Sequence, residues 1–251
     1  MKLDILAFGA HPDDVELSCG ATIAKEIFLG KNVGIIDLTR GELGTRGNTE
    51  IRDKESANAG DILGISVREN LGFLDGFFVN DKDHQLEVVK MLRKYKPDIV
   101  LCNAIDDRHL DHPKGSHLVS DACFLSGLMK IETTLDGKLQ DHWRPKHVYH
   151  YIQWKDLTPD FVVDVSDFIE IKRNAVKAYS SQFYDIKSTQ PETPISSKNF
   201  IESIDYRAKN LGRLIGVEYA EGFTTERYLS LIHISEPTRL LSISYAVFCL
   251  K

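Results

Sequence analysis

The sequence has little cysteine and no excess of basic charge, and each lack excludes a class of protein. Its four cysteines form no C-x-x-C pair, which argues against a disulfide scaffold and indicates small buried side chains in a reducing compartment. Lysine and arginine number 31 against 37 acidic residues, a formal net charge of −6. A general nucleic-acid binder needs a basic face, so we expect no nucleic-acid partner.

Long apolar runs are also missing. No segment approaches the length of a membrane span, and the charged N-terminal stretch before His11 is too short for the apolar core of a signal peptide. We therefore expect a cytoplasmic protein with no membrane partner. With 42% hydrophobic and 27% charged residues among 251, the composition is typical of one ordinary globular domain.

What the sequence does have is a regular alternation of short apolar runs and helical periodicity. The spacing of apolar residues predicts strands at 3–9, 33–38, 68–71 and 98–102, followed in turn by helices at 17–29, 50–63, 85–95 and 113–129. Strands at 147–152 and 161–165, a helix capped by Asp167 and a last helix at 198–215 complete the pattern. Strands that are apolar throughout are typical of a buried parallel sheet, so the sequence predicts a Rossmann-like, three-layer α/β fold with a mostly parallel sheet.

The C-terminal segment does not fit this pattern. Residues 1–229 are expected to form a single domain, whereas residues 230–251 form an atypical tail. Its string Ile-His-Ile-Ser-Glu-Pro-Thr-Arg-Leu-Leu resembles translated sequencing adapter. We interpret the tail as an artefact of that kind rather than a natural final strand and helix, and we leave His233 out of the predicted site.

Two loops concentrate imidazole and carboxylate groups. His11-Pro12-Asp13-Asp14 follows the first predicted strand, and the loop Asp106–His112 follows the fourth. In an open α/β sheet of the common order 3-2-1-4-5, the first and fourth strands flank the crevice where ligands bind. The sequence therefore predicts that two clusters far apart in the chain meet in space.

Together these groups suit a divalent metal ion with an open position for water. His11 and Asp14 are three residues apart and can face one point, and His112 can supply a third ligand. One further carboxylate, Asp13 or Asp111, is then free to act as a general base. His109 can polarise or protonate the reacting group. The spacing alone does not choose between the aspartates.

The two motifs, Ala10-His11-Pro12-Asp13-Asp14 and His109-Leu110-Asp111-His112, resemble the paired signature of the PIG-L/LmbE family of zinc-dependent N-acetylglucosamine deacetylases. The resemblance extends to about Tyr228 and implies an LmbE-like fold. It implies a hydrolase that removes the acetyl group from a sugar amide with one Zn²⁺ per chain, other divalent ions being possible.

The resemblance also implies roles for individual residues. Asp13 would be the general base that activates the water, and His109 the cation that stabilises the oxyanion. Asp111 would orient His109. The implied metal ligands are His11, Asp14 and His112.

Further motifs bear on the substrate. Ser181-Gln182-Phe183, Tyr219–Phe223 and the overall length resemble the bacillithiol-pathway branch of the family, which deacetylates N-acetylglucosaminyl malate. An arginine fork is the natural partner of the malate carboxylates. The side chains expected to bind this glycoside are Arg52, Arg46, Glu42 and Asn103.

The sequence leaves alternatives open for the role of Arg52, for the substrate and for the class of protein. Arg52 could instead form an ion pair with Glu55. The enzyme could deacetylate another N-acetylglucosaminyl compound or cleave the amide of a sugar–thiol conjugate, and a metal-binding Rossmann-like protein without catalytic activity would share part of the pattern. The family resemblance also implies a homo-oligomer, a trimer or hexamer.

Overall fold

The computed structural model describes residues 1–186, 188–227 and 229, and the backbone of 246–247. The strands are β1 (Ile5–Gly9), β2 (Val33–Thr39), β3 (Val67–Phe73), β4 (Ile99–Cys102), β5 (Thr134–Leu135), β6 (Lys138–Leu139), β7 (His147–Tyr151), β8 (Phe161–Asp164), β9 (Ala220–Thr225) and β10 (Ala246–Val247). The helices are α1 (Asp14–Phe28), α2 (Thr49–Leu63), α3 (Lys82–Tyr95), α4 (Asp111–Ser126), α5 (Ile169–Lys177) and α6 (Lys198–Ile215).

The main sheet has the order β8-β9-β7-β4-β1-β2-β3, with the two-residue β10 beside β8. Strands β3, β2, β1, β4 and β7 run parallel, which confirms the expected order 3-2-1-4-5. Strand β9 is antiparallel to both of its neighbours. Hairpin β5–β6 stands apart from the sheet.

Alternation along β1 divides the core into two layers. Ile5 and Ala7 face one cluster, which includes side chains of α1, α2, α5 and α6. Leu6 and Phe8 face the other, which includes side chains of α3 and α4. Because successive strand side chains point to opposite faces, one buried strand organises both layers, and the predicted three-layer α/β fold is confirmed.

Local sequence signals set several helix boundaries. Asn48, Asp81 and Ser197 accept bonds from backbone N–H groups three residues on and cap α2, α3 and α6. The predicted limits 198–215 match α6. The predicted cap at Asp167 is wrong, because Asp167 lies inside a short 3-10 turn and α5 begins only at Ile169.

Strand β9 was missed by pattern reading, and it proves to anchor the helix that carries the site. Helix α1 is interrupted at Cys19, whose backbone is not helical. The Glu221 carboxylate of β9 accepts bonds from the N–H groups of Ala21 and Thr22 and from the Thr22 hydroxyl at 2.6–3.2 Å. Lys172 of α5 completes the buried cluster at 2.6 Å. The Glu221 carboxylate on β9 thus accepts hydrogen bonds from backbone N–H groups near the interruption in α1.

The cysteines of the described residues form no disulfide. Cys19, Cys102 and Cys123 are buried and free, and burial raises the pKa of the Cys19 and Cys123 thiols. None of the described helices is both long and apolar enough to cross a membrane. The predicted tail, including His233, lies outside the described residues apart from the backbone at 246–247.

Replacing Glu221 with alanine is expected to destabilise the protein by about 3–5 kcal/mol, because it leaves the Lys172 ammonium buried without its carboxylate. Denaturant unfolding followed by circular dichroism measures the loss. The exposed Glu218→Ala variant is the control. A double variant, Lys172→Met with Glu221→Leu, should recover the part of the loss that comes from the unpaired ammonium but not the part that comes from the Ala21 and Thr22 donors. A loss for Glu221→Ala no larger than that of the control would contradict this account.

Candidate active site

The loops that follow β1 and β4 meet at the carboxyl ends of these adjacent parallel strands. The ring centroids of His11 and His109 are 4.6 Å apart, and those of His109 and His112 are 5.1 Å apart. One nitrogen from each of the three rings lies within 4.8 Å of the others. The convergence predicted from the sheet order is therefore present, at the topological switch point of the sheet.

Asp14, the first residue of α1, lies between two of these imidazoles. Its Oδ2 is 3.6 Å from Nδ1 of His11, and its Oδ1 is 3.2 Å from Nε2 of His112. The His11 N–H also donates to Oδ2 at 2.9 Å. The three predicted metal ligands are thus brought together, and their assignment as ligands stays a prediction.

Two further carboxylates reach the cluster from other loops. Asp75, after β3, lies 3.0 Å from Nε2 of His11, and Asp107 lies 2.5 Å from Nδ1 of His112. Sequence reasoning assigned no role to either. Asp107 lies in the loop Asp106–His112, so the sequence could have indicated it as a member of the site. No motif around Asp75 indicates such a role, because its loop reaches the site only through the pairing of β3 with β2.

The electrostatic balance of the cluster favours positive charge. Burial by itself lowers the pKa of His11 and His112, but the neighbouring carboxylates outweigh it. Asp111, Asp14 and Asp75 raise the pKa of His11 well above its usual value, and Asp14 and Asp107 raise that of His112 to about 9.

The donor set fits a divalent cation. Five carboxylates here are buried: Asp13, Asp14, Asp75, Asp107 and Asp111. Within the described part of the chain, ion pairs to arginine or lysine are found for two of them, Asp13 and Asp111. Buried carboxylates without such partners, next to imidazole nitrogens, are the environment that zinc and related ions occupy.

Asp13 is set apart from this cluster by its backbone and by its partner. It precedes α1 with φ 115°, a left-handed conformation that is strained for a residue other than glycine. Nη2 of Arg52 donates to its Oδ2 at 2.8 Å and to the Pro12 carbonyl at 2.6 Å. Burial raises the pKa of Asp13 to about 7, although Arg52 opposes the shift.

His109 and Asp111 differ from the arrangement implied by the family resemblance. The Asp111 N–H donates to Nδ1 of His109 at 3.3 Å, but the Asp111 carboxylate accepts from Gly76 N–H at 2.7 Å and from Lys114 at 3.2 Å. Burial and the charges of His11 and His112 lower the pKa of His109. Asp111 therefore contacts His109 through its backbone N–H, whereas the Asp111 side chain bonds to Gly76 in the loop after β3.

Of the four side chains expected to bind substrate, only Arg52 lines the cavity into which His11, His109 and His112 open. Arg46 is buried and donates to the Phe183 carbonyl at 3.2 Å. Glu42 accepts from the Asp75 N–H at 2.8 Å. Asn103 is fully buried.

Asn103 instead belongs to a shell of amides around Asp14. Its Nδ2 donates to Asp14 Oδ2 and to Gln153 Oε1, both at 2.9 Å. Gln153 Nε2 donates to Asp14 Oδ1, also at 2.9 Å. The three residues follow β1, β4 and β7, so neighbouring parallel strands each contribute one group. Sequence reasoning missed Gln153, which carries no motif.

These groups open into a cavity of about 420 Å³. One part of its wall holds the imidazoles and aspartates. Another part is formed by Trp154, by the loop at residues 193–195 and by Phe200, Ile204 and Arg207 of α6. A cavity of this size takes a small glycoside.

A doubly wound sheet with imidazoles and carboxylates at its switch point, and with a further carboxylate beside them, defines a metal-dependent hydrolase. Comparison with known proteins agrees. Residues 6–123 match the family model PIG-L, described as GlcNAc-PI de-N-acetylase. The chain is 29% identical to the diacetylchitobiose deacetylase of Thermococcus kodakarensis over 231 residues, which cover 87% of this chain and 81% of that protein.

Solved structures agree as well. The conserved protein TT1542 from Thermus thermophilus superposes with a TM-score of 0.80 at 36% identity, covering 91% of this chain and 96% of that one. The N,N'-diacetylchitobiose deacetylase from Pyrococcus horikoshii gives a TM-score of 0.74 at 26% identity, covering 94% and 88%. The chain belongs to the PIG-L family, and it is a hydrolase of that family.

Replacing Gln153 with leucine is expected to weaken metal binding about 10- to 100-fold, because Asp14 Oδ1 loses a donor and Asn103 loses its acceptor. Competition between the protein and a chelating dye for Zn²⁺ measures the affinity. Gln140→Leu, which removes a single bond to the Lys90 carbonyl away from the site, is the matched control. Equal weakening in both variants would contradict the positioning role of Gln153.

Proposed function

We propose that the protein hydrolyses the acetamide of an N-acetylglucosaminyl conjugate, and specifically of N-acetylglucosaminyl malate, releasing acetate and glucosaminyl malate for bacillithiol biosynthesis. The observation that carries the proposal is a buried aspartate, with its pKa raised to about 7, beside a cluster of imidazoles and carboxylates in the wall of one cavity. The family membership and the diacetylchitobiose deacetylases among its relatives support an N-acetylated sugar as substrate.

His11, Asp14 and His112 are the proposed holders of a Zn²⁺ ion, with Asp75 and Asp107 as carboxylate partners of the two imidazoles. A bound zinc ion supplies Lewis-acid polarisation of the amide carbonyl and lowers the pKa of water. The role of the protein is to hold these groups in fixed orientation: Asn103 and Gln153 bond to Asp14, and Asp75 and Asp107 bond to the two imidazoles.

Asp13 is the proposed general base. Arg52 holds Oδ2, and among the described residues no bond is found for Oδ1, which leaves that oxygen for water in the cavity. A carboxylate with a pKa of about 7 can take a proton from water and later give it to the leaving amine at neutral pH. The strained backbone and the Arg52 bond fix the direction of the carboxylate.

His109 is the proposed electrophilic group. Its Nδ1 accepts the Asp111 N–H, so in the neutral ring the proton lies on Nε2. Burial lowers the pKa of His109, which agrees with a neutral ring, and the cationic role implied by the resemblance stays a prediction. An N–H donor aimed at the carbonyl oxygen stabilises the negative charge that develops there.

Asp13→Asn is expected to lower kcat about 10²- to 10⁴-fold, the usual range for loss of a general base. Acetate release from N-acetylglucosaminyl malate measures the activity. Zinc content, determined by elemental analysis of the same preparations, should remain that of the parent protein because Asp13 is not a proposed ligand. Unchanged activity would refute the assigned base.

The malate assignment predicts a preference between substrates. We expect kcat/KM for N-acetylglucosaminyl malate to exceed that for free N-acetylglucosamine by at least about tenfold, since charged hydrogen bonds to a carboxylate contribute about 1.5–3 kcal/mol. Acetate release from both compounds under identical conditions measures the ratio. Equal or better turnover of the free sugar would overturn the malate assignment while leaving the deacetylase intact.

A further inference from the structure

We infer that Arg207 and Arg108, which meet at Trp154, form a subsite for a carboxylate on the group attached to the sugar. We call these three residues the outer subsite. The inference rests on the proposed function and deepens it, because it names the part of the cavity that would distinguish an anionic conjugate from a neutral N-acetylated sugar.

Arg207 is held in the wall of the cavity with part of its hydrogen-bonding capacity unused. Nη2 donates to the Trp154 carbonyl at 3.0 Å, which fixes the guanidinium. Nε is buried without a hydrogen-bond partner, and Oδ1 of the exposed Asp156 is 3.8 Å away, beyond hydrogen-bond distance. Among the described residues no hydrogen bond is found for Nη1, which is not sealed from solvent as Nε is, so this donor is left for a ligand oxygen.

Arg108 approaches the same tryptophan from the loop after β4. Its guanidinium carbon lies 4.5 Å from the centroid of the Trp154 ring. Among the described residues no ion pair is found for this exposed guanidinium. The adjacent acid, Asp107, is already engaged by His112 and by three backbone N–H groups, including that of Trp154. The Arg108 charge is therefore available to a ligand.

The surroundings of Trp154 include two cationic groups. Phe200 stacks against the indole with centroids 5.4 Å apart, and Arg108 lies over the ring as a cation. Trp154 keeps 37% of its surface exposed, so the Arg108 cation lies beside an accessible part of the cavity wall. This wall holds two guanidinium groups beside the Thr193 and Ser203 side chains, and guanidinium donors match a carboxylate in geometry and charge.

Arg52, the arginine first expected to bind the substrate anion, is less suited to that task. Its Nη1 and Nη2 are engaged by Gln182, the Pro12 carbonyl and the Asp13 carboxylate. Withdrawing Arg52 from Asp13 would leave the proposed base buried without its cation. The two arginines at Trp154 carry no such obligation to the catalytic aspartate.

The test compares two substrates in three variants of the zinc-loaded protein. Arg207→Gln and Arg108→Gln are expected to raise KM for N-acetylglucosaminyl malate about tenfold or more, while kcat/KM for methyl N-acetylglucosaminide, which has no carboxylate, stays within about twofold of the parent. Arg213→Gln is the matched control, because Arg213 is exposed on the same helix as Arg207 and, within the described part of the chain, its side chain bonds to that of Asn210 alone. It should change neither substrate.

Binding provides a second readout that does not need turnover. N-acetylglucosaminyl malate is titrated calorimetrically into the Asp13→Asn protein, with and without Arg207→Gln. Arg207→Gln should weaken binding of this compound about tenfold or more, as expected for its KM. Arg207→Lys keeps the positive charge but lacks the forked donors of the guanidinium, so it should recover part of the lost affinity. Equal losses for both substrates, or unchanged malate affinity in both arginine variants, would overturn the outer subsite. Failure of the parent protein to release acetate from either compound would refute the proposed function instead, and the titration would still decide the subsite.

Discussion

The site depends on the Asp14 carboxylate, which has little freedom to move. One oxygen lies near Nε2 of His112 and accepts from Gln153, and the other accepts from the His11 amide and from Asn103. The carboxylate thus joins groups that follow three neighbouring strands, β1, β4 and β7. Burial makes these bonds strong and also makes any missing partner costly, so the sheet and the cluster constrain each other.

The adjacent residue, Asp13, has a different environment because the backbone reverses direction there. Its backbone is left-handed and its side chain bonds to Arg52, whereas the Asp14 side chain lies against His11 and His112. Two consecutive carboxylates consequently acquire opposite properties. Contacts with imidazoles lower the pKa of Asp14 against the effect of burial, whereas burial raises that of Asp13. Separation of this kind between neighbouring acids is how one site combines cation binding with proton transfer.

Helix α1, which carries Asp14 at its start, is fixed from its other side by Glu221. The carboxylate of β9 binds the helix near Cys19, and β9 lies antiparallel to both of its neighbours, β7 and β8. This strand was not predicted because its sequence is short, polar at Glu221 and broken by glycine, so neither alternation nor an apolar run identifies it. The extra strand thus helps to hold the start of the active-site helix in place.

The sequence by itself determined the alternation of strands and helices through α4, the parallel core of the sheet and the two loops that bring the imidazoles and carboxylates together. Those features depend on apolar periodicity, on caps such as Asn48 and on residues close together in the chain. Only the tertiary structure decided that Asp75 and Gln153 join the cluster, that Arg52 binds Asp13, and that Arg207 reaches Trp154. Each of these contacts joins residues about 40 to 140 positions apart, and its partner is chosen by strand order and helix packing, which leave no local pattern in the sequence.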